Sequence, residues 1–361
     1  MSDFEPHELH PARWWHRTED GRLQCGLCPR DCRLKDGQRG LCFVRARSGD
    51  QMVLTTYGRS SGFAVDPIEK KPLNHFYPGS SVLSFGTAGC NLSCKFCQNW
   101  DISKSRANST LADQASPEII AKEAKQAGCR SVAFTYNDPT IFAEYAMDTA
   151  DACHELGVKT VAVTAGYIHD EPRRAFFAKM DAANVDLKAF TEEFYEKQTA
   201  SSLAPVKDTL RYLVHETKVW VEITTLLIPG LNDSDREVGE LCAWVASELG
   251  PHVPLHFSAF HPDYKLAHIP ATPPATLRHA RERAIQEGLS YVYTGNVHDR
   301  DGDTTRCPSC QNEVVVRDWY DIVSADLVDG GCGRCGAAIA GRFGPAVERF
   351  GRRRIRLAMG A

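Results

Sequence analysis

Three cysteines of this chain, Cys90, Cys94 and Cys97, lie within eight residues and directly follow the apolar segment Ser81–Phe85. Their spacing is C-x3-C-x2-C. Zinc in a structural site binds four protein ligands, and an ordinary [4Fe–4S] cluster is held by four cysteines. Three thiolates therefore suit a cluster in which one iron stays open to a substrate or a cofactor. The alternative, three buried structural cysteines, fits so short and regular a spacing poorly.

Length, charge and composition exclude several classes of protein. The chain has 361 residues, 43% of them hydrophobic, which is enough for one large core with additional modules. Its net charge of −4 argues against a protein that binds nucleic acid through the phosphates. We find no apolar run of transmembrane length and no signal peptide, since residues 1–20 are polar. We therefore expect a cytoplasmic protein with neither a nucleic acid nor a membrane as a partner.

The fourteen cysteines are concentrated in three groups, and Cys129, Cys153 and Cys242 stand alone. In a chain without a secretory signal, such grouping favours metal sites over disulfides. The N-terminal quartet follows the pattern C-x2-C-x3-C-x9-C and consists of Cys25, Cys28, Cys32 and Cys42. Four thiolates can hold either zinc or an auxiliary iron–sulfur cluster. The sequence does not decide between these two metals, and a metal-free structural group is the third alternative.

A second quartet lies near the C-terminus, as two C-x2-C pairs separated by the β-rich residues 313–317. It consists of Cys307, Cys310, Cys332 and Cys335. This arrangement is typical of a zinc ribbon, so we predict zinc, with an iron–sulfur cluster as the less favoured alternative. The basic tail, residues 342–356, is expected to be a solvated surface.

Between these groups the hydrophobic pattern predicts an α/β fold. Apolar, β-branched runs indicate buried strands at residues 82–85, 131–136, 160–164, 184–188, 219–227, 255–260 and 291–293. Helical segments lie between them; two of these, residues 139–156 and 233–249, are each followed by a glycine. Repeated βα units predict parallel strands with outer helices, as in a partial or full βα barrel. We place a module at residues 1–79, the barrel at 80–299 and a further module at 300–361.

Residues 57–78 contain turn formers and no sustained period, so we expect an irregular covering loop there. The alternative is a lid or docking edge that carries Lys70, Lys71 and His75. Functional residues of barrels lie at the carboxyl ends of the strands. Polar segments follow five predicted strands in succession, at residues 136–140, 164–167, 186–188, 227–233 and 260–265. We therefore expect the site at this end of the sheet.

Together these motifs resemble those of the radical S-adenosylmethionine (SAM) enzymes. Within them, the chain is similar to the radical SAM enzyme of the AmmeMemoRadiSam system, itself similar to the pyruvate formate-lyase activating enzymes. The resemblance spans nearly the whole chain. It rests on both quartets and on DPIEKKP at residues 66–72, the segment 90–100 and IPGLND at residues 228–233. It implies a partial (β/α)6-type TIM barrel between a four-cysteine module and a zinc-ribbon-like module.

The resemblance also implies roles for individual residues. Cys90, Cys94 and Cys97 would hold a [4Fe–4S] cluster, and Phe96 would contact the cofactor. The remaining SAM contacts would be Asn137 and Asp138 at the ammonium, Asp186 and Lys188 at the ribose and carboxylate, Ile228 at the adenine and His261 at the ribose. Two positions depart from the family pattern, because Asp138 replaces the usual glutamate and Ala165 replaces a common asparagine. The shorter aspartate weakens the predicted ammonium contact, and Ala165 receives no role.

The activity implied is reductive cleavage of SAM to methionine and a 5′-deoxyadenosyl radical, which abstracts hydrogen from a substrate. The electron would come from a donor such as a flavodoxin or a ferredoxin. One hypothesis is an activase-like action on a partner protein, with Memo-like and AMMECR-like proteins as the candidates. A second is radical chemistry on a small molecule. A third, non-enzymatic hypothesis is a metal-binding scaffold, against which the cysteine triplet argues.

Overall fold

The computed structural model describes residues 9–105, 111 and 113–359. Within this part of the chain, nine strands form a central sheet. They are β1 (Phe63–Pro67), β2 (Ser81–Phe85), β3 (Ser131–Phe134), β4 (Lys159–Thr164), β5 (Ala182–Asp186), β6 (Trp220–Leu227), β7 (Leu255–Ala259), β8 (Val292–Gly295) and β9 (Ile355–Leu357). Shorter strands outside this sheet are His10–Pro11, Trp15–Arg17, Leu23–Cys25, Arg33–Leu34, Arg45–Ser48, Gln51–Leu54, Arg59–Ser60, Asp113–Gln114, Thr305–Arg306, Glu313–Asp318, Asp321–Ala325, Leu327–Val328 and Gly331–Cys332.

Strands β2 to β8 are parallel, and each pairs with its neighbours in chain order. The register places Phe85 beside Phe134 and Asp186 beside Thr224, so the carboxyl ends of the strands reach the same edge. All seven predicted strands are present, and the prediction of a parallel α/β sheet is confirmed. β3 ends earlier than expected because Tyr136 adopts a left-handed φ of 71°, which an extended strand does not accommodate.

The strand order of the sheet is open in the described residues, with β8 at one edge and β9 at the other. β1 pairs antiparallel with β2, and β9 pairs antiparallel with β1. The central sheet therefore includes strands from all three predicted segments of the chain. The curvature of a partial barrel and the boundaries 1–79, 80–299 and 300–361 stay predictions.

Helices connect the parallel strands. The longer ones are α1 (Pro117–Gln126), α2 (Ala143–Glu155), α3 (Asp170–Phe177), α4 (Ala204–Glu216), α5 (Asp235–Trp244) and α6 (Pro274–Gln286). Shorter helical segments are Ile68–Lys70, Trp100–Ser103, Pro139–Phe142, Glu192–Phe194, Tyr195–Thr199, Val245–Leu249, Tyr264–Leu266 and Arg300–Asp303. At the start of α1, the Ser116 hydroxyl accepts a hydrogen bond from the backbone N–H of Ile119, the contact of a serine N-cap. None of the helices in the described residues is long and apolar enough to cross a membrane.

The segment at residues 57–78 is more ordered than the sequence suggested. It contributes β1, whose five residues are all buried. The apolar run of β1 is too short to be recognised as a strand from the sequence, because turn-forming residues follow it. His75 is buried rather than exposed on a docking edge, because its Nε2 lies 2.5 Å from the Tyr293 hydroxyl and its Nδ1 lies 2.6 Å from the Ala340 carbonyl oxygen.

A buried ion pair joins the N-terminal module to the sheet. The two Nη atoms of Arg45 donate to the two carboxylate oxygens of Glu144 on α2, each at 2.8 Å. The two side chains are 1% and 3% exposed. The carboxylate also accepts a hydrogen bond from the backbone N–H of Arg13 at 2.7 Å. Because burial would be costly for either charge alone, the pair fixes the module on this helix.

A buried arginine, Arg317, attaches the C-terminal module to the loop at residues 68–80. The buried Arg317 donates to the Asn74 carbonyl oxygen at 2.7 Å and to the Thr305 hydroxyl at 2.9 Å. Within the basic tail, Arg353 is exposed, as expected for a solvated surface. The end of the tail, however, takes part in β9, which adds a strand to the sheet. The sequence did not predict this strand because three residues carry too weak a periodic signal.

We predict that Glu144→Ala lowers the free energy of unfolding by about 3–5 kcal/mol, because it leaves the Arg45 charge buried without its partner. Urea denaturation followed by circular dichroism measures the loss. The matched control is Glu193→Ala, which removes an ion pair with Lys197 whose side chains are 73% and 65% exposed. That change is expected to cost less than about 1 kcal/mol. Equal losses in the two variants would contradict the structural role of the buried pair.

Candidate functional site

The carboxyl ends of the parallel strands open onto a cavity of about 410 Å³. It brings together most of the residues that the sequence predicts for the site. These are Cys90, Cys94, Phe96, Cys97, Asn137, Asp138, Asp186 and Lys188. The cavity therefore lies where the sequence predicts the site, at the carboxyl ends of the strands.

The loop after β2 presents the three cysteines to this cavity as free thiols. Lys104 fixes the loop, since its Nζ donates to the carbonyl oxygen of Leu92 at 2.7 Å. The Sγ of Cys97 lies 3.0 Å from the Ser103 hydroxyl. Burial raises the pKa of Cys94 to about 12, so the thiolate form in this site needs a positive partner.

Asn137 holds the turn that leads into the cysteine loop. Its Oδ1 accepts a hydrogen bond from the backbone N–H of Thr87 at 3.1 Å, and its Nδ2 donates to the carbonyl oxygen of Gly89 at 2.8 Å. Gly89 directly precedes Cys90, so Asn137 positions the first cysteine. Its contact with a SAM ammonium group stays a prediction.

Asp138 ties together the ends of β3 and β4. Its Oδ1 accepts hydrogen bonds from the Thr140 backbone N–H at 3.0 Å and from the hydroxyls of Thr140 and Thr164 at 2.8 and 3.0 Å. Its Oδ2 accepts from the Ala165 backbone N–H at 2.9 Å. Burial raises the pKa of this carboxyl, and the four hydrogen bonds oppose that rise. The Asp138 side chain, which is shorter than the usual glutamate, is thus hydrogen-bonded within the chain while it also lines the cavity.

Asp186 and Lys188 form a charged pair on the wall of the cavity, with 2.8 Å between Oδ2 and Nζ. Burial alone would lower the pKa of Lys188, but the carboxylate of Asp186 raises it. The ammonium group also lies 5.9 Å from the centre of the Phe96 ring, which packs on Phe194 at 5.7 Å. The pair offers one positive and one negative group to a zwitterionic ligand.

Two predicted SAM contacts do not line the cavity in the described part of the chain. Ile228 is completely buried, and its backbone N–H donates to Oδ1 of Asn232 at 2.7 Å. His261 is exposed. Their assignments to the adenine and the ribose stay predictions.

The structure adds two hydroxyl residues that the sequence analysis missed, Thr224 on β6 and Ser258 on β7. Thr224 is 8% exposed, and its buried Oγ1 has no hydrogen-bond partner among the described residues. Buried hydroxyls without a partner are rare, so this atom is available to a bound ligand. The signal was present in the sequence, because alternation places Thr224 on the same face as Leu226, which also lines the cavity.

A second group of residues, to which the sequence analysis gave no role in the cavity, lies around Asp66. Lys71 is 3% exposed and donates to Oδ2 of Asp66 at 2.8 Å, and the Tyr136 hydroxyl donates to the same oxygen at 3.1 Å. Burial alone would raise the pKa of Asp66, but the ammonium groups of Lys71 and Lys70 lower it to about 2. Both lysines and Tyr320 of the C-terminal module line the cavity. No local pattern could place Tyr320 there, since it reaches the cavity from a distant hairpin.

The two quartets lie outside this cavity. The N-terminal quartet of Cys25, Cys28, Cys32 and Cys42 lines a separate cavity. The C-terminal quartet of Cys307, Cys310, Cys332 and Cys335 brings its four sulfur atoms within 4.8 Å of one another. The second arrangement is one that a metal ion can occupy, as the sequence predicts.

Comparison with known proteins identifies the family. The radical SAM superfamily model matches residues 85–242, which include the cysteine triplet and both acidic residues of the cavity wall. The protein MJ0808 of Methanocaldococcus jannaschii is 39% identical over 333 residues, which are 92% of this chain and 99% of MJ0808. The chain belongs to the radical SAM superfamily. A probable GTP 3′,8-cyclase of Methanosarcina acetivorans is 26% identical over 156 residues, 41% of this chain and 46% of that protein.

Two solved structures are also similar to this radical SAM protein. A radical SAM methyltransferase from Sphaerobacter thermophilus aligns with a TM-score of 0.49 and 16% identity, over 80% of this chain and 76% of that one. A domain of a pyruvate-formate lyase-activating enzyme from Bacteroides vulgatus aligns with a TM-score of 0.41 and 15% identity, over 46% of this chain and 99% of that one. The narrower assignment to the AmmeMemoRadiSam system stays a prediction.

The cavity fits the groups that superfamily membership implies, a [4Fe–4S] cluster and SAM. Three free thiols on one short loop are the donors for three irons. The Lys188–Asp186 pair and the unpartnered Thr224 hydroxyl supply polar contacts for a ligand beside the cluster. The donor set and the polar wall therefore suit both groups.

We predict that Thr224→Val leaves the free energy of unfolding unchanged or higher, because it removes a hydroxyl without a partner. In reconstituted protein it should weaken SAM binding by about tenfold, a loss of about 1.4 kcal/mol, measured by equilibrium dialysis. The neighbouring Thr225→Val is the matched control, since that hydroxyl donates to the Leu187 carbonyl oxygen at 2.7 Å. It should cost about 1–3 kcal/mol of stability. Unchanged SAM affinity in Thr224→Val would show that this hydroxyl does not contact SAM.

Proposed function

We propose that this chain cleaves SAM reductively with a [4Fe–4S] cluster held by Cys90, Cys94 and Cys97. The observation that carries the proposal is that three free thiols and the polar strand ends face one cavity. When bound, the cluster and SAM supply a one-electron cleavage of the C5′–S bond that yields methionine and a 5′-deoxyadenosyl radical. A donor protein such as a flavodoxin or a ferredoxin would provide the electron.

The residues of the chain position these groups and limit the access of water. Asn137 and Lys104 hold the cysteine loop through its backbone. Lys188 and Asp186 line the same cavity, and we propose for them the roles that the family resemblance implies, contacts to the carboxylate and the ribose of SAM. The buried Lys71 also lines the cavity. Exclusion of water by such residues would protect a reactive radical from side reactions.

We propose a segment of a partner protein as the substrate, as in an activase. Gln98 and Asn99 line the cavity, and the next residue, Trp100, is 46% exposed. Its ring stacks on Tyr264 at 5.6 Å. Exposed aromatic rings next to a site are typical of protein interfaces. Memo-like and AMMECR-like proteins are the candidates that the family resemblance suggests.

We predict that Cys94→Ala abolishes reductive SAM cleavage, because the cluster loses one of its three ligands. The measurement is 5′-deoxyadenosine formed by anaerobically reconstituted protein with dithionite as reductant. Cys129→Ala is the matched control, since Cys129 is a buried cysteine outside the cavity, and it should retain both iron and activity. Cleavage at the wild-type rate in Cys94→Ala would refute the assignment of the cluster.

Transfer of deuterium identifies the class of substrate. Perdeuterated Memo-like and AMMECR-like proteins are each incubated with the reconstituted enzyme and unlabelled SAM. Deuterium in 5′-deoxyadenosine supports action on a partner protein. Transfer from a deuterated small-molecule extract, with none from either protein, would instead establish the small-molecule alternative.

A further inference from the structure

The two cysteine quartets differ in the separation of their sulfur atoms. In the C-terminal quartet, the Sγ atoms of Cys307 and Cys335 are 3.6 Å apart, and those of Cys310 and Cys332 are 3.7 Å apart. Zn–S bonds of about 2.3 Å in a tetrahedron place the sulfurs about 3.8 Å apart. The C-terminal quartet therefore has the dimensions of a single zinc ion.

The N-terminal quartet is more open. Among the described residues, the C-terminal quartet is the one group of three or more possible ligands that converges closely enough to hold a single metal ion. Cys25, Cys28, Cys32 and Cys42 instead line a cavity with about 20 Å³ of free space, enough for a group of the size of water. Sulfurs that close on one zinc ion leave no such space.

This open arrangement matches that of the triplet at Cys90, Cys94 and Cys97, which also lines a cavity without close convergence of its sulfurs. In an iron–sulfur cluster each thiolate binds a different iron, so the sulfurs stand farther apart than around one ion. A cluster whose irons are bonded to the four thiolates also lies closer to their sulfur atoms than a group without such bonds would. The N-terminal quartet thus resembles the triplet rather than the C-terminal quartet.

Arg45 gives a second, independent indication of an occupant. It is 1% exposed, lines the cavity of the quartet, and pairs with Glu144 through its two Nη atoms. Its Nε is buried without a hydrogen-bond partner among the described residues. A cluster held by four thiolates is anionic, and its sulfur atoms accept hydrogen bonds. The unpaired N–H therefore fits such an occupant better than an empty apolar cavity.

The cavity of the quartet adjoins the triplet. It is lined by Asn91, the residue after Cys90, and by Arg30, whose Nε donates to the Asn91 carbonyl oxygen at 2.7 Å. The Asn91 side chain donates to the Tyr167 carbonyl oxygen at 3.0 Å, which holds this junction in place. A group bound by the quartet would lie next to the loop that carries the triplet.

We propose that the N-terminal quartet holds an auxiliary [4Fe–4S] cluster and that the C-terminal quartet holds a zinc ion. The first site needs four thiolates, all supplied by the chain, so its cluster has no open iron. The second site is structural, because its ion is fully ligated by the four cysteines. These assignments go beyond SAM cleavage, which requires the triplet alone.

Metal analysis of a triplet variant tests the assignment. Wild-type protein and a variant with Cys90→Ala, Cys94→Ala and Cys97→Ala are reconstituted anaerobically with iron and sulfide, and iron, sulfide and zinc are measured per chain. We expect about eight irons and one zinc in the wild type, and about four irons and one zinc in the variant. Mössbauer spectra should show a [4Fe–4S] cluster in both.

The matched control is Cys310→Ser, which should remove zinc and leave the iron content at about eight. A triplet variant with no iron and two zinc ions would overturn the proposal, and so would a wild type with about four irons. Wild-type protein that cleaves SAM with only four irons would refute this inference and leave the proposed function intact. If the triplet variant retained four irons but the wild type did not cleave SAM, this inference would be supported and the proposed function would be refuted.

Discussion

The hydrogen bonds of the Asn137 side chain determine where the cysteine loop lies. They hold the backbone of Thr87 and Gly89 against the end of β3, so that Cys90 enters the cavity directly after the turn. The approach of the two strand ends is so close that a Cβ at Gly86 would clash with the carbonyl oxygen of Thr135. A glycine and an amide at these two positions are therefore needed before any of the three thiols can face a common ligand.

Much of this site could be predicted from the sequence, because the triplet and the apolar strands are local patterns. The βα repeats predicted parallel strands, but the register that places Asp186 beside Thr224 is seen only in the structure. The contribution of Thr224 was missed because one hydroxyl in an apolar strand is usually bonded within the chain. Tyr320 and β9 could not be predicted, since they depend on how a distant hairpin and a three-residue strand pack.

Buried polar contacts attach both four-cysteine modules to the sheet. On one side, Arg45 and Glu144 connect the N-terminal quartet to α2. On the other, Arg317 of the C-terminal module donates to the Asn74 carbonyl oxygen at 2.7 Å, and the buried carboxylate of Glu222 on β6 accepts hydrogen bonds from the backbone N–H groups of Asn74 and His75 at 2.9 and 2.7 Å. Burial alone would raise the pKa of Glu222, but the side chains of His256 and Trp220, which hydrogen-bond to the carboxylate, lower it. The modules are therefore integral to the fold rather than appended to it, and each brings its cysteines to a fixed position.

The central claim is that the triplet leaves one iron open to SAM. Electron–nuclear double resonance tests it most directly, on reduced, reconstituted protein with SAM that carries ¹⁵N in its amino group. We expect a hyperfine coupling between this nitrogen and the cluster, which is lost in Cys94→Ala and kept in Cys129→Ala. A wild-type spectrum without ¹⁵N coupling, in protein shown by dialysis to bind SAM, would contradict it.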